Sequence, residues 1–293
     1  MDIQTVAVIG AGTMGAGIAQ VATQAGYITR LVDAKPEALA KGMAGINAFW
    51  DKGIAKGKTT PQQKLEWSAR LIAASDLKTA VADADLVIEA VPESLDLKQR
   101  IFRDLDAAAP AHAILATNTS SLNIAAIAAA TKRPGSVVGM HFFNPVPIMT
   151  LLELVRHDGT SAATLDAARS VGARMGKTTI VAKDSPGFAT SRLGIILGNE
   201  AMRMLEEGVA SARDIDTAMK LGYGHPMGPL ELSDLVGLDV RLGISEYLKT
   251  TLGPQFDAPA IVRKLVARGE VGKKSGKGLY DWSDGTPKER SLP

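Results

Sequence analysis

The 293-residue sequence contains no cysteine. That excludes a disulfide, a thiolate metal site and a cysteine nucleophile. Aromatic residues make up only 4%, too few for the stacking platforms that hold single-stranded nucleic acid. Neither sign of charge prevails: 33 Lys and Arg face 31 Asp and Glu, a formal net charge of +2. A nucleic-acid partner or a strongly membrane-attracted surface is therefore not expected. No apolar run is long enough to cross a bilayer. The opening MDIQTVAVIGAG has neither the basic n-region nor the cleavage site of a secretory leader. These absences together give the expectation of a cytoplasmic protein. There is no G-x-S-x-G elbow and no H-E-x-x-H pair, so serine-hydrolase and zincin chemistry have no support and no metal site is expected.

What is there is a core-rich chain, 46% hydrophobic, long enough for one large domain or two. It is organised around its start. Val6 to Ile9 form an unbroken apolar run, the pattern of a strand buried on both faces of a parallel sheet. Gly10, Gly12 and Gly15 follow as G-x-G-x-x-G, then an amphipathic helix to about Gly26 and a second strand, Ile28 to Val32, closed by Asp33. Gly10 permits the tight turn, Gly12 lets backbone approach a pyrophosphate, and Gly15 allows close helix–strand packing. The helix start offers unpaired N–H groups to phosphates. A carboxylate at Asp33 accepts ribose hydroxyls and repels a 2′-phosphate, so NAD is favoured over NADP. The strand before the glycines, the helix after them and the acid at this distance make the motif specific.

Strands and helices then alternate. Helices are expected over Pro36 to Lys56 and Gln62 to Ala69, a short strand at Leu71 to Ala74, and a buried strand at Leu86 to Val91. Ser94 caps a helix running to about Ala109. Further strands are expected at Ile114 to Thr117, Val137 to Met140, Leu151 to Val155 and Thr179 to Ala182, with a helix over Ala162 to Met175 between the last two. The pattern predicts an α/β domain, residues 1–184, with a doubly wound, mostly parallel Rossmann-type sheet. Ser185-Pro186-Gly187 reads as a hinge. Beyond it the periodicity is helical (Arg192 to Glu207, Ala212 to Lys220, Pro229 to Leu235, Val240 to Thr251, Ala258 to Arg268), predicting an all-α C-terminal domain over residues 185–293. Ser283 to Pro293 reads as a frayed end.

In such sheets ligands lie beyond the C-terminal ends of the strands. Pro92-Glu93, Asn118 to Ser121 and His141 to Asn144 stand there. His141 directly follows a strand, and Glu153, twelve residues on, can return behind it. A His–Glu pair is a workable general base, the acid fixing the tautomer and stabilising the imidazolium. The bland alternative for Glu153 is a surface acid on an edge strand. Its apolar neighbours Leu151, Leu152, Leu154 and Val155 make an idle buried carboxylate costly. His112, His157 and His225 read as turn, loop and helix-connection residues. Lys52, Lys56 and Lys58 cluster at the end of a helix, where a solvated tip is the ordinary reading.

The stretches VAVIGAGTMGAGIAQ, DLVIEAVPESLDLK, ATNTSSL, GMHFFNPVPIMTLLELV, KDSPGF, DIDTAMKLGYGHPMGPLELSDLVGLD and GKKSGKGLYDW closely resemble the bacterial short-chain L-3-hydroxyacyl-CoA dehydrogenases, also called 3-hydroxybutyryl-CoA dehydrogenases. The resemblance covers nearly the whole chain. It implies His141 as catalytic base, Glu153 as its partner and Ser120 as a hydrogen-bond donor to the substrate oxygen at C3. It implies an NAD site made of Gly10, Ala11, Gly12, Thr13, Met14, Gly15, Asp33, Glu93, Lys98, Ser120, Asn144 and Lys274. Lys56 and Lys52 would face the phosphates of an acyl-CoA thioester, which reverses the bland reading of that helix tip. A homodimer through the helical domain is also implied. One departure stands out: after D-S-P-G-F the family pattern x-x-N-R is replaced by Ala189-Thr190-Ser191-Arg192, so Ser191 occupies the place of a substrate-binding asparagine. Two other readings stay open, a related hydroxyacid or sugar-acid dehydrogenase that needs no CoA and a non-catalytic NAD-binding protein on the same scaffold. The lysine-dependent 3-hydroxyacid dehydrogenases are disfavoured, because the helix after Ser191 has no Lys with Asn four residues on.

Overall fold

The computed structural model describes residues 2–292. The chain divides into two compact units, with the break between Ser185 and Pro186.

The first unit is built on one eight-stranded sheet. Its strands are Thr5–Ile9 (β1), Ile28–Val32 (β2), Leu71–Ala73 (β3), Leu86–Glu89 (β4), Ile114–Thr117 (β5), Val137–Phe142 (β6), Leu151–Arg156 (β7) and Thr178–Lys183 (β8). The order is β3-β2-β1-β4-β5-β6-β7-β8. Every neighbouring pair is parallel except β6 with β7, which runs antiparallel. The chain order reverses between β1 and β4, which opens the crevice where such sheets bind ligands. Strands β1, β4, β5 and β6 are buried along their whole length, which is why their sequences run apolar rather than alternating.

The crossovers are Thr13–Gln24 (α1), Pro36–Ala55 (α2), Pro61–Arg70 (α3), Leu77–Val81 (α4), Leu95–Ala108 (α5), Ile124–Ala128 (α6) and Ala162–Arg174 (α7). Thr60 and Gln63 form a capping box at α3, and Ser94 caps α5 through the Leu97 N–H. Helices α4 and α6 have no counterpart among the sequence expectations. Each has five residues, too few to display a helical period. Two strand ends also differ. The strand expected to reach Val91 stops at Glu89, because the Val91 N–H turns back to the Glu89 carboxylate at 2.7 Å. The strand expected to stop at Met140 continues through His141 to Phe142.

The second unit is helical: Thr190–Glu206 (α8), Ala212–Gly222 (α9), Pro229–Val236 (α10), Leu238–Leu252 (α11) and Ala260–Ala267 (α12). Met202, Leu230, Leu238, Leu265, Leu279 and Trp282 are buried at its centre. Two buried acids tie it together. Asp216 accepts from the N–H groups of Leu230 and Glu231 at the start of α10 and from the Tyr280 hydroxyl. Asp234 accepts from the Leu279 and Tyr280 N–H groups and from Trp282 Nε1. The tail expected to fray is held up to Leu292. Asp281 pairs with Lys288 across a short bridge, and Arg290 reaches the Gly278 carbonyl at 3.2 Å and Glu270 at 2.7 Å. Its polar composition hid these partners; Pro293 lies outside the described residues.

Candidate active site

At the C-terminal end of β1, Gly10 turns the chain with φ +99°, a conformation L side chains avoid. A Cβ there would stand 2.8 Å from the Ala90 carbonyl, and one on Gly15 would collide with the carbonyl of Gly10. Gly12 is different. A Cβ there meets nothing within 4 Å, and no side chain caps α1. The first N–H groups of that helix therefore face an open cleft of about 830 Å³, lined among others by Gly10, Gly12, Thr13, Met14 and Asp33. Asp33 accepts from the Ala11 N–H at 2.7 Å on one oxygen and the Lys35 N–H at 2.9 Å on the other. Each oxygen keeps a lone pair for a further donor.

Next to β1, across β4 and β5, lies a buried polar network of which the sequence pattern pointed to Glu93, Lys98 and Ser120 only. Lys98 is fully buried, and its ammonium donates to Glu89 at 2.7 Å and to the Val91 carbonyl at 3.3 Å. Glu89, also fully buried, accepts in addition from Thr117 Oγ1 at 2.7 Å. Both charges are thus paired and hydrogen-bonded, as burial requires. Lys98 also lies 3.5 Å from Glu93, whose other oxygen accepts from Thr119 Oγ1 at 2.5 Å and from the Ser120 N–H at 3.0 Å. Glu89 was not singled out in the sequence, and Thr119 only as part of the polar segment Asn118 to Ser121. A carboxylate inside the apolar run LVIEAV was the available signal.

The neighbouring strands bring His141 and Glu153 together. His141 does not follow β6 but lies within it, and the antiparallel register sets it directly opposite Glu153 of β7. Their side chains meet with His141 Nδ1 2.9 Å from Glu153 Oε2. Glu153 is fully buried, and β7 is flanked by β6 and β8, so it is no edge-strand surface acid. The His141 ring packs on Phe143 with centroids 4.4 Å apart. Asn118 holds the exit of this strand by accepting from the Phe142 N–H at 2.9 Å. Asn144, exposed, starts a segment held by Lys177, whose ammonium donates to the Val146 and Met149 carbonyls at 2.5 and 2.7 Å. Burial pushes the Lys177 ammonium below the usual lysine range. Nothing in the sequence marks this lysine.

Lys52 lies in the last turn of α2 and Lys56 at its C-cap, both exposed. In the helical unit Ser191 is half-buried in the first turn of α8. Lys274 donates to Asp239 at 2.7 Å, and its ammonium helps hold the Asp239 carboxyl below the usual range.

Residues 5–185 match the family described as "3-hydroxyacyl-CoA dehydrogenase, NAD binding domain", and residues 187–282 match "3-hydroxyacyl-CoA dehydrogenase, C-terminal domain". The chain belongs to the 3-hydroxyacyl-CoA dehydrogenase family. A probable 3-hydroxybutyryl-CoA dehydrogenase of Bacillus subtilis is 44% identical, covering 98% of this chain and 100% of its own. The mitochondrial hydroxyacyl-coenzyme A dehydrogenase of Sus scrofa is 43% identical over 96% of this chain and 91% of its own. The crystal structure of (S)-3-hydroxybutyryl-CoA dehydrogenase from Ralstonia eutropha superposes with a TM-score of 0.92 at 41% identity, covering 96% of this chain and 99% of that one. The chain is therefore an NAD-dependent oxidoreductase on a mostly parallel Rossmann-type sheet followed by helices.

The residues fit that cofactor. The uncapped start of α1, the space over Gly12 and the remaining lone pairs of Asp33 answer a pyrophosphate and a ribose diol in turn. Among the described residues no cluster of His, Asp and Glu has the makings of a metal site, and no helix is long and apolar enough to cross a membrane.

Proposed function

We propose that the chain interconverts (S)-3-hydroxyacyl-CoA and 3-oxoacyl-CoA, with the buried His141–Glu153 pair as general acid and base. The observation that carries this reading is the 2.9 Å contact between Nδ1 and Oε2 across two paired strands. Glu153 at Nδ1 fixes the imidazole tautomer and leaves Nε2 for the substrate. The nicotinamide supplies hydride acceptance and donation. His141 Nε2 takes the C3 hydroxyl proton on oxidation and returns it to the forming alkoxide on reduction. Ser120 donates to the same oxygen. Glu93 accepts from the Ser120 N–H and so positions it, and Lys98 holds Glu93 through the buried network rather than by reaching the cleft itself.

In this reading residues 1–184 bind NAD through Gly10 to Gly15, Asp33, Glu93, Ser120 and Asn144, joined by Lys274. Residues 185–293 serve substrate binding, through Ser191, and dimerisation. Lys52 and Lys56 meet the phosphates of coenzyme A. A homodimer has support in the apolar side chains that the helical unit exposes, Leu232, Leu235 and Val236 on α10 and Val240 on α11, since such groupings mark interaction surfaces. The cytoplasm is its proposed compartment. NADH oxidation with acetoacetyl-CoA, longer 3-oxoacyl-CoAs and free acetoacetate tests the reading. Turnover of the thioesters and neglect of the free acid is the expected result; equal use of free acetoacetate overturns the CoA assignment.

A further inference from the structure

Asp184 takes no part in the proposed reaction, yet it holds one end of the loop that carries Ser120. That loop, Asn118 to Asn123, joins β5 to α6. Side chains, not a strand ladder, take most of the backbone N–H groups from Ser120 to Ala126. Ser120 donates to Glu93 at 3.0 Å, and Ser121 and Leu122 donate to Thr119 Oγ1 at 3.3 and 2.9 Å. Ile124 donates to one oxygen of Asp184 at 3.0 Å, Ala125 to the other at 2.8 Å, and Ala126 to Asn123 Oδ1 at 2.7 Å.

Two of these acceptors come from elsewhere in the chain. Glu93, 27 residues before Ser120, grips the start of the loop, and Asp184, 60 residues after Ile124, grips its end. Asp184 is itself half-buried and held: its N–H donates to the Arg156 carbonyl, at the end of β7, at 2.8 Å. Helix α6 has only five residues, so it owes little to helical cooperativity. It is pressed onto the sheet instead. Ile124 and Ile127 are fully buried, and a Cβ on Gly139 of β6 would stand 3.0 Å from Ile124 Cδ1. Asn123 already caps this helix in the usual way. A carboxylate suits the open N–H groups of a helix start, but here it adds a distant hold to a local cap. The local cap sets where the helix begins along the chain; the distant one sets where it stands against the sheet.

We propose that Asp184 is a positioning residue for the reaction: by fixing the start of α6 it keeps Ser120 Oγ at the substrate's C3 oxygen. The inference rests on the proposed reading, in which Ser120 donates to that oxygen. Ser120 lies between the two gripping acids, with Thr119, Ser121 and Leu122 engaged beside it. A shift of the helix start is therefore passed to Ser120 along a short, fully engaged stretch of chain. Catalytic groups tolerate little of this, since a misplacement of about 1 Å can cost about 10²-fold in rate.

The test is a double-mutant cycle on the full-length chain. Single-turnover NADH oxidation at saturating acetoacetyl-CoA reads the hydride step apart from binding and product release. Asp184→Asn is nearly isosteric; it keeps one acceptor oxygen and sets an amide N–H against the other backbone N–H. It should lower the rate by about tenfold or more, within the scale of such misplacements. In the Ser120→Ala background the same change should lower the rate by less than about twofold, because the group it positions is gone. Independent sites add to within about twofold, so an equal loss in both backgrounds makes Asp184 a structural brace and overturns the proposal. Asp184→Ser, which also keeps one acceptor, repeats the cycle if Asp184→Asn does not fold. Asp85→Asn is the control. Asp85 likewise accepts from two backbone N–H groups, those of Gln4 at 2.8 Å and Thr5 at 2.9 Å, but at the start of β1. Its loss should leave the hydride step within about twofold. A fall there as large as in Asp184→Asn also overturns the proposal, since loosening the sheet unit anywhere would then slow the reaction. A loss in Ser120→Ala with none in Asp184→Asn overturns the positioning role alone and leaves the proposed reaction standing. A Ser120→Ala chain as fast as the wild type takes Ser120 out of that reaction, and the positioning role falls with it.

Discussion

Both units of the molecule bury carboxylates, and they surround them differently. In the sheet unit Glu153 faces an imidazole and Glu89 faces an ammonium. In the helical unit Asp216 and Asp234 face backbone N–H groups, a phenol and an indole. Within the first, only the His141–Glu153 pair sets an acid beside an imidazole, where it shapes where the ring proton sits. The second has no such pair, because every donor belongs to a group that holds its proton at neutral pH. Burial raises the Asp234 carboxyl above the usual range, with the three hydrogen bonds only partly opposing it, and the Tyr280 hydroxyl beside Asp216 is raised as well. Glu153 alone of these acids has the partner that the proposed proton transfer needs; the helical unit's acids tie chain segments together.

Removing the imidazole should have the largest effect. His141→Ala or His141→Gln should lower kcat by roughly 10²–10⁴, the range for loss of a general acid–base group, with NADH binding little changed. Near-normal turnover would take His141 out of the mechanism. Glu153→Gln should follow the same direction with a smaller loss, since the imidazole remains but its orienting charge does not.

The contrast sharpens with Asp234→Asn, which should cost stability rather than catalysis. Asp234 Oδ2 takes both the Tyr280 N–H and Trp282 Nε1, and an amide nitrogen there would meet them donor to donor. The expected loss in unfolding free energy is about 1–3 kcal/mol, the cost of a buried group left unsatisfied. Its pH dependence has a definite sign. A carboxyl raised in the folded state binds its proton there more tightly than in the unfolded chain, so its contribution falls as pH rises from 3.8 and levels off above the folded value. The cost of Asp234→Asn should therefore shrink with rising pH over that window. Denaturant melts across it check the slope; a cost that grows with pH contradicts the assignment.

The two kinds of acid were unequally legible in the sequence. Glu153 declared itself, because four apolar neighbours left it no cheap idle role. The same reasoning applied to Glu89 within LVIEAV, where the strand pattern drew attention away from the acid. What the sequence could not supply was register. Twelve residues separate His141 from Glu153, but only the antiparallel pairing of β6 with β7, in an otherwise parallel sheet, sets them opposite. Asp216 and Asp234 were unreadable for another reason. Their partners lie 14 to 64 residues away, and a long-range acceptor for backbone N–H groups leaves no local periodicity. The Arg290 contacts that hold the tail are long-range in the same way.

Asp33 stands between the two groups. Like the helical unit's acids it accepts from backbone N–H groups, at Ala11 and Lys35; unlike the fully buried Glu89 and Glu153 it borders an open cleft. If the cleft governs, NADH should exceed NADPH in kcat/KM by about tenfold or more, since a like-charge contact with a 2′-phosphate costs on the order of a few kcal/mol. Comparable use of the two would leave Asp33 a loop-holding acid only.

The smallest expected effect belongs to Lys56, a charge left in water. Its place at the C-cap of α2, with Lys52 in the last turn, has an adequate structural explanation, because cations complement the partial negative charge of a helix C-terminus. That role predicts a slight loss of stability in Lys56→Ala and no kinetic change. A phosphate contact predicts something else. KM for the CoA thioester should rise by about two- to fivefold at low salt, the scale of an exposed ion pair. The change in kcat should be small, because a remote contact binds ground and transition states alike. The rise should also fade at high ionic strength, where the Debye length shrinks to about 3 Å at 1 M. Lys52→Ala should act in the same direction if both lysines share the phosphates. Acetoacetyl-pantetheine, which lacks the nucleotide phosphates, completes the argument. Its KM should not respond to Lys56→Ala at any salt, and a response there would mean that the lysine acts through the helix and not through the coenzyme.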